Sequence, residues 1–138
     1  HTYILDGDNL RHGLSSDLGF NETDRNENVR RAAETARLMI DAGLSVIVGL
    51  ISPFKKERDW ARCLFKPNQF KEIYISTTLQ VCEHRDTKGL YKKARLGEIK
   101  DFTGIDSSYE APDKPEVIID TENKTVEECV HIILQKVG

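Results

Sequence analysis

The chain has 138 residues, enough for one compact domain with its own core and too few for two ordinary ones. Hydrophobic residues make up 38% and charged residues 31%, a globular balance, and no apolar run approaches the roughly 18 residues that a spanning helix needs. The formal net charge of -3, from 20 basic and 23 acidic residues, supplies no global positive field for a long nucleic-acid backbone, so any anion site must be local.

In chain order, Tyr3 to Asp6 reads as a strand, and Asp6-Gly7-Asp8-Asn9-Leu10-Arg11 follows it. Asn21, with Asp24 three residues on, caps a helix whose apolar positions Val29, Ala32, Ala33, Ala36, Met39 and Ile40 keep helical spacing, and Gly43 stops it. Ser45 to Ile51 is a second strand, apolar enough to be covered on both faces. Ser52 precedes Pro53, the favoured first helical residue, and opens a helix carrying Trp60 and Leu64 towards Pro67. Phe70 to Ile75 is a third strand, Thr78 starts a helix through about His84, and Glu116 to Asp120 is a fourth strand. Thr125 and Glu128 form a capping box for a last helix presenting Val126, Val130, Ile133, Leu134 and Val137.

Strands alternating with helices imply an α/β fold with a parallel sheet sandwiched by helices. The whole chain, 1–138, reads as one domain, and the segment from about 86 to 115, crowded with Lys88, Lys92, Lys93, Arg95 and Lys100, reads as a lid or long functional loop. Cys63, Cys82 and Cys129 are odd in number and far apart, which argues against a disulfide framework or zinc site and for a reducing, cytoplasmic setting. The first residues show no signal-peptide pattern. His12, His84 and His131 lack ligand spacing to a carboxylate or thiol.

Ligands of open parallel sheets bind beyond the carboxyl ends of the strands. The residues there are Asp6 and Asp8 around a glycine, Ile51-Ser52-Pro53 at a helix start, and Arg85-Asp86-Thr87-Lys88-Gly89 before the basic segment. Taken singly, Asp8 could cap a turn, Ser52 could cap a helix, and Arg11, Arg25, Arg30 and Arg31 could be a solvated face. Together, carboxylates, a hydroxyl and arginines at one sheet edge fit phosphoryl transfer to a small anionic acceptor.

These residues also carry a family resemblance. Asp6-Gly7-Asp8-Asn9-Leu10-Arg11-His12-Gly13-Leu14, Asp17-Leu18-Gly19-Phe20, Asp24-Arg25-Asn26-Glu27-Asn28, Ile51-Ser52-Pro53, Lys88-Gly89-Leu90-Tyr91-Lys92-Lys93-Ala94-Arg95 and Phe102-Thr103-Gly104-Ile105-Asp106 stand in the order found in adenylyl-sulfate kinases. The chain resembles that family over essentially its whole length. The resemblance implies a P-loop NTPase-like kinase fold and ATP- and Mg2+-dependent phosphorylation of the 3'-hydroxyl of adenosine 5'-phosphosulfate.

It also implies roles. Asp8 matches the carboxylate that accepts the acceptor's proton or helps hold magnesium, with Asp6 in support. Asn9, Arg11, Arg25, Asn28 and Lys88 match acceptor-binding positions, and Phe20 and Phe102 match the pair that clamps the acceptor adenine. Ile51 and Ser52 match the acceptor-site strand end, and Ser52 is similar to the serine described in the family as a phosphoenzyme intermediate. Direct in-line transfer needs no such covalent step. Arg85 is similar to the arginine that lies against the ATP adenine in related kinases, and Lys92 and Lys93 sit on the lid over the nucleotides. Partners implied are the small-molecule acceptor and either a second copy or ATP sulfurylase, fused or associated.

The family's G-x-x-x-x-G-K-[ST] phosphate loop is not among these 138 residues. In the family it lies upstream of the strand matching Tyr3 to Asp6. The expectation is therefore a kinase whose first strand, loop and helix precede this chain, which alone would be inactive. The alternatives are a loop-less, non-catalytic domain that binds adenosine 5'-phosphosulfate or its 3'-phosphorylated product, and a kinase for another nucleotide acceptor.

Overall fold

The computed structural model describes residues 1–138 as two compact units, residues 1–67 and 68–138. The first contains β1 (Thr2–Asp6), α1 (Gly7–His12), α2 (Glu22–Asp41), β2 (Ser45–Gly49) and α3 (Lys55–Cys63). β1 and β2 pair in parallel, with Ile4 opposite Ile47, Leu5 opposite Val48 and Asp6 opposite Gly49. The α/β alternation thus yields parallel strands joined through helices, as expected.

α2 begins at the expected cap, where the Asn21 side chain accepts the Asp24 N–H at 2.9 Å, and the chain leaves it through Gly43 at φ +87°, a conformation glycine adopts without a Cβ clash. Val29, Ala32, Ala33 and Ala36 are buried, and Leu5, Leu10, Ala32 and Ala36 form the core with Met39, Val46, Leu50 and Phe65 against it. Alanines at those positions let the helix lie close to the strands. The stripe does not stay apolar: Arg25 and Asn28, one turn nearer the N-terminus, are buried too.

Two expectations need correction here. β2 is covered on one face only, because Val46 packs on the core whereas Ile47 stays 55% exposed beside Ile4 at 59%. α3 starts at Lys55, not at Pro53, and its buried residues are Arg58 and Ala61 while Trp60 turns outward. The strand expected to reach Ile51 stops at Gly49, so residues 50–54 form an unpaired connection.

The second unit contains β3 (Ile73–Ile75), α4 (Leu79–Arg85), α5 (Leu90–Arg95), β4 (Val117–Ile119) and α6 (Val126–Val137). β3 and β4 pair in parallel, with Val117 and Ile119 buried and Ile118 exposed. Beyond their ends the Thr77 and Thr121 hydroxyls meet at 2.8 Å, and Arg85 donates to the Thr121 hydroxyl and carbonyl, both at 2.7 Å. The capping box opens α6: Glu128 N–H donates to Thr125 Oγ1 at 3.2 Å and Thr125 N–H to Glu128 Oε2 at 2.7 Å. Val126 and Leu134 of that helix remain exposed. No helix of the chain is long and apolar enough to cross a membrane.

The segment expected as a lid or long functional loop contains α5. Asp86 accepts the N–H groups of Tyr91 and Lys92, each at 3.0 Å, and Gly89 turns the chain at φ +67°. Desolvation pushes the Asp86 carboxyl upward, but the N–H donors of Tyr91, Lys92 and Leu90 outweigh it and leave its pKa lowered. Farther on, Asp106 accepts from the Asp101 and Phe102 N–H groups at 2.9 and 2.6 Å, and Phe102 meets Tyr91 edge to face at 5.0 Å between ring centres.

Arginine clamps the segment between α1 and α2 onto α2. Arg31 forms a bidentate pair with Asp17, donates to the Leu14 carbonyl at 2.8 Å and reaches Glu27 at 2.9 Å, while Arg30 holds Glu27 at 2.7 and 2.8 Å. The bonds from Arg30 and then Arg31 hold Glu27 down at about 2. A carboxyl depressed on folding stabilises the fold above its unfolded pKa of 4.5 and loses that contribution as pH falls towards 2. Stability measured by denaturant unfolding is therefore expected to fall from about pH 4.5 to 2, and Glu27→Gln to flatten that stretch of the profile. A profile unchanged by Glu27→Gln would show that the clamp contributes nothing to folding.

Candidate active site

Parallel register sets the site. Because Asp6 lies opposite Gly49, the chain leaving β1 and the chain leaving β2 emerge at one edge. There they line a pocket of about 200 Å³ with Asp6, Asp8, Arg11, Phe20, Arg25, Asn28, Ile51 and Ser52, all expected from the sequence. Gly7 permits the approach, since a Cβ on it would stand 3.1 Å from Leu50 Cδ2. Pockets that enclose a whole ligand run from about 300 Å³ upward, so this one is smaller than such a cavity.

Asp6 is the helix cap: its Oδ1 accepts from Asp8 N–H at 3.0 Å and Asn9 N–H at 3.3 Å, which fixes the backbone that carries Asp8. The second carboxylate is thus aimed by the first. Asn9 takes part through its backbone and lies outside the pocket lining.

Facing the carboxylates are the arginines. Arg25, buried in α2, donates from Nε to the Phe20 carbonyl at 2.7 Å, and Arg11 donates to the Gly19 and Leu18 carbonyls at 2.7 and 3.2 Å. Their guanidinium carbons stand 5.6 Å and 4.2 Å from the Phe20 ring centre, so the half-exposed ring lies among cations. Gly19 suits the same turn. Its N–H donates to Asp24 Oδ2 at 2.8 Å, and a Cβ there would come to 2.9 Å from that oxygen.

Two features of the rim cost folding energy. Asn28 is 4% exposed, yet its Oδ1 has no hydrogen-bond partner, an omission worth about 1–3 kcal/mol unless a ligand supplies the donor. Ser52 sits at φ +44°, in the left-handed region that costs a non-glycine residue about 1–2 kcal/mol. It does not cap α3, since Phe54 holds the cap position without a side-chain bond. Instead its carbonyl accepts from Arg58 Nη1 at 2.6 Å. Strain and an orphaned acceptor in one pocket mark a binding site more than a packing site.

No group of three or more His, Cys, Asp or Glu side chains is placed to cage a metal ion. A Mg2+ ion at this rim would take most ligands from phosphate and water, which is its habit, with Asp8 as the protein's carboxylate.

Arg85, Lys88, Lys92, Lys93 and Phe102 belong to the second unit. Arg85 is held edge-on by Thr121 and by the Glu122 carbonyl at 3.2 Å. Lys88 precedes Gly89, and Lys92 and Lys93 lie exposed on α5. Sequence reasoning missed Val29, Gly49 and Leu50 in the lining and Arg58 behind Ser52. An arginine on an amphipathic helix reads as solvated, and only its helical offset of three from buried Ala61 hints otherwise.

Comparison with known proteins identifies the family. Residues 1–120 match the model of the family described as adenylylsulphate kinase. The chain is 56% identical over 135 residues to the adenylyl-sulfate kinase of Prochlorococcus marinus, covering 98% of this chain and 67% of that protein. It is 58% identical over 135 residues to that of Vibrio cholerae, covering 98% and 63%. The solved Mycobacterium tuberculosis APS kinase CysC in complex with AMPPNP and APS superposes with a TM-score of 0.92 at 45% identity, covering 99% of this chain and 79% of that one. The chain thus spans about two thirds of the curated relatives' length, and it belongs to the adenylyl-sulfate kinase family, with the P-loop kinase fold of its structural neighbours.

Proposed function

We propose that the whole protein phosphorylates the 3'-hydroxyl of adenosine 5'-phosphosulfate with ATP, and that the pocket between the two strand ends holds the acceptor. One observation carries this reading: Asp8, Arg11, Arg25, the unpartnered Asn28 Oδ1 and Ser52 line the same pocket. Cations facing a carboxylate across a small cleft suit a ligand that bears anionic oxygens at one end and a hydroxyl at the other. Family membership, and a relative solved with APS and an ATP analogue, support the substrate pair.

In this reading Arg11 and Arg25 grip the phosphosulfate, and Asn28 Oδ1 takes a hydrogen bond from the acceptor. Phe20 offers a ring to the adenine. The 3'-oxygen attacks the terminal phosphorus of ATP, the bond from that phosphorus to the bridging oxygen breaks, ADP leaves, and Asp8 accepts the hydroxyl proton. Mg2+, when bound, screens the phosphate charge, and Asp8 is the rim carboxylate that would hold it. Ser52 positions the acceptor without becoming phosphorylated. Arg85 stacks on the ATP base, and Lys88, Lys92 and Lys93 close over the phosphates as a basic lid. The three free cysteines suit a cytoplasmic setting.

Incubating the whole protein with ATP, Mg2+ and adenosine 5'-phosphosulfate is expected to give the 3'-phosphorylated product, with AMP a poor acceptor. Binding without transfer would identify a non-catalytic nucleotide-binding domain. Asp8→Asn is expected to lower kcat by about a hundredfold or more with acceptor binding changed far less, a loss typical of an acid–base group. Unchanged turnover would remove Asp8 from the mechanism. Asn28→Leu is expected to hold or raise the thermal midpoint while abolishing acceptor binding, because it removes a buried, unsatisfied oxygen. A midpoint lowered by more than about 4 °C, roughly 1 kcal/mol for a small domain, would mean that Asn28 is there for packing.

A further inference from the structure

We infer that Arg58 is a positioning residue for the acceptor pocket, acting by holding the backbone of Ser52 in its left-handed conformation. The inference rests on the reading of that pocket as the acceptor site. Two local preferences oppose the conformation seen. A serine avoids positive φ because its Cβ crowds the following carbonyl, and a residue before proline is pushed to extended backbone by the proline ring. Ser52, at φ +44° and followed by Pro53, violates the first and is narrowed by the second.

Something in the fold must therefore outweigh both, and one charge-assisted bond reaches the residue concerned. Arg58 is 9% exposed, and its Nη1 donates to the Ser52 carbonyl at 2.6 Å. The first turn of α3 provides no substitute, since Phe54 makes no side-chain cap. α3 packs on α2, and Ala61, one turn beyond Arg58, is buried, so the guanidinium is delivered from a fixed element.

The consequence is local. Ser52 lies between Ile51, 58% exposed at the pocket mouth, and buried Pro53. If the residue relaxes to extended backbone, its hydroxyl and the Ile51 side chain swing away from the carboxylates of Asp6 and Asp8. Ser52 and Arg58 both lie in the first unit, whereas Arg85, Lys92 and Lys93, the residues read as ATP-binding, lie in the second. Arg58 thus sets acceptor affinity and alignment without itself lining the pocket.

The test uses the whole protein with Arg58→Met, Arg58→Lys, and Arg58→Met combined with Ser52→Gly. Arg58→Met is expected to raise the acceptor KM at least tenfold with the ATP KM within twofold, and Arg58→Lys, which keeps a donor, to recover most of that loss. Against a Ser52→Gly background, where left-handed backbone carries no Cβ penalty, the additional effect of Arg58→Met is expected to shrink below threefold. Crystal structures of the two single Arg58 variants report φ at position 52 directly, and the methionine variant is expected to leave the positive region. A position 52 that stays left-handed without Arg58, equal losses for ATP and acceptor, or an undiminished loss in the glycine background would each overturn the inference. Should Arg58→Met not fold, the lysine variant and Arg58→Gln carry the same comparison. If the wild-type protein proves to use another acceptor, the substrate reading falls, and the backbone conformation at position 52 still decides the role of Arg58.

Discussion

The pairing of Asp6 with Gly49 across two parallel strands is the constraint on which the candidate site depends. Parallel pairing sends both chain exits in the same direction, so the residues after β1 and after β2 meet although more than forty residues separate them. A slip of one residue would turn every side chain of β1 to its other face, moving Leu5 out of the core and Asp6 away from its cap on α1. The hydrophobic pattern that buries Leu5 against Ala32 and Ala36 therefore also sets where Asp8 and Ser52 stand.

α2 shows how one helix serves core and site together. Its inward stripe is apolar from Val29 to Ala36 and turns polar at Asn28 and Arg25, where it reaches the pocket. The polar end is costly, with an unpartnered carbonyl oxygen on Asn28, and so is the connection after β2, with Ser52 in left-handed backbone. Both costs fall on the same cleft, while the surroundings are over-determined by the Arg31 clamp, the Asp24 turn and the Asn21 cap. Strain held in place by a firmly bonded surround is what a preorganised binding surface requires.

Much of this was legible in the sequence wherever the signal is local. Asn21 with Asp24, Thr78, and Thr125 with Glu128 cap helices through contacts three residues away, and the structure contains all three caps. α1 and α5 were not legible, because six residues span less than two turns and show no periodicity. The start of α3 was misplaced because Pro53 carries the local signature of a first helical residue, whereas Arg58 holds Ser52 in a conformation from which the helix begins only at Lys55. At the site, Asp8, Arg25, Asn28 and Ser52 could be read from motif and strand ends. Arg58 could not, since its role comes from burial, a property of packing. Arg85 is similar: its bonds to Thr121 join residues 36 apart, and nothing in the local sequence announces them.

The central proposition is that the two strand ends bind one acceptor molecule between them. Nuclear magnetic resonance of the isotope-labelled whole protein, titrated with adenosine 5'-phosphosulfate, addresses it most directly. The backbone signals of Asp8 and Ser52 and the side-chain amide of Asn28 should shift together along curves described by a single dissociation constant. Shifts confined to one strand end, or separate constants for the two, would contradict the shared pocket.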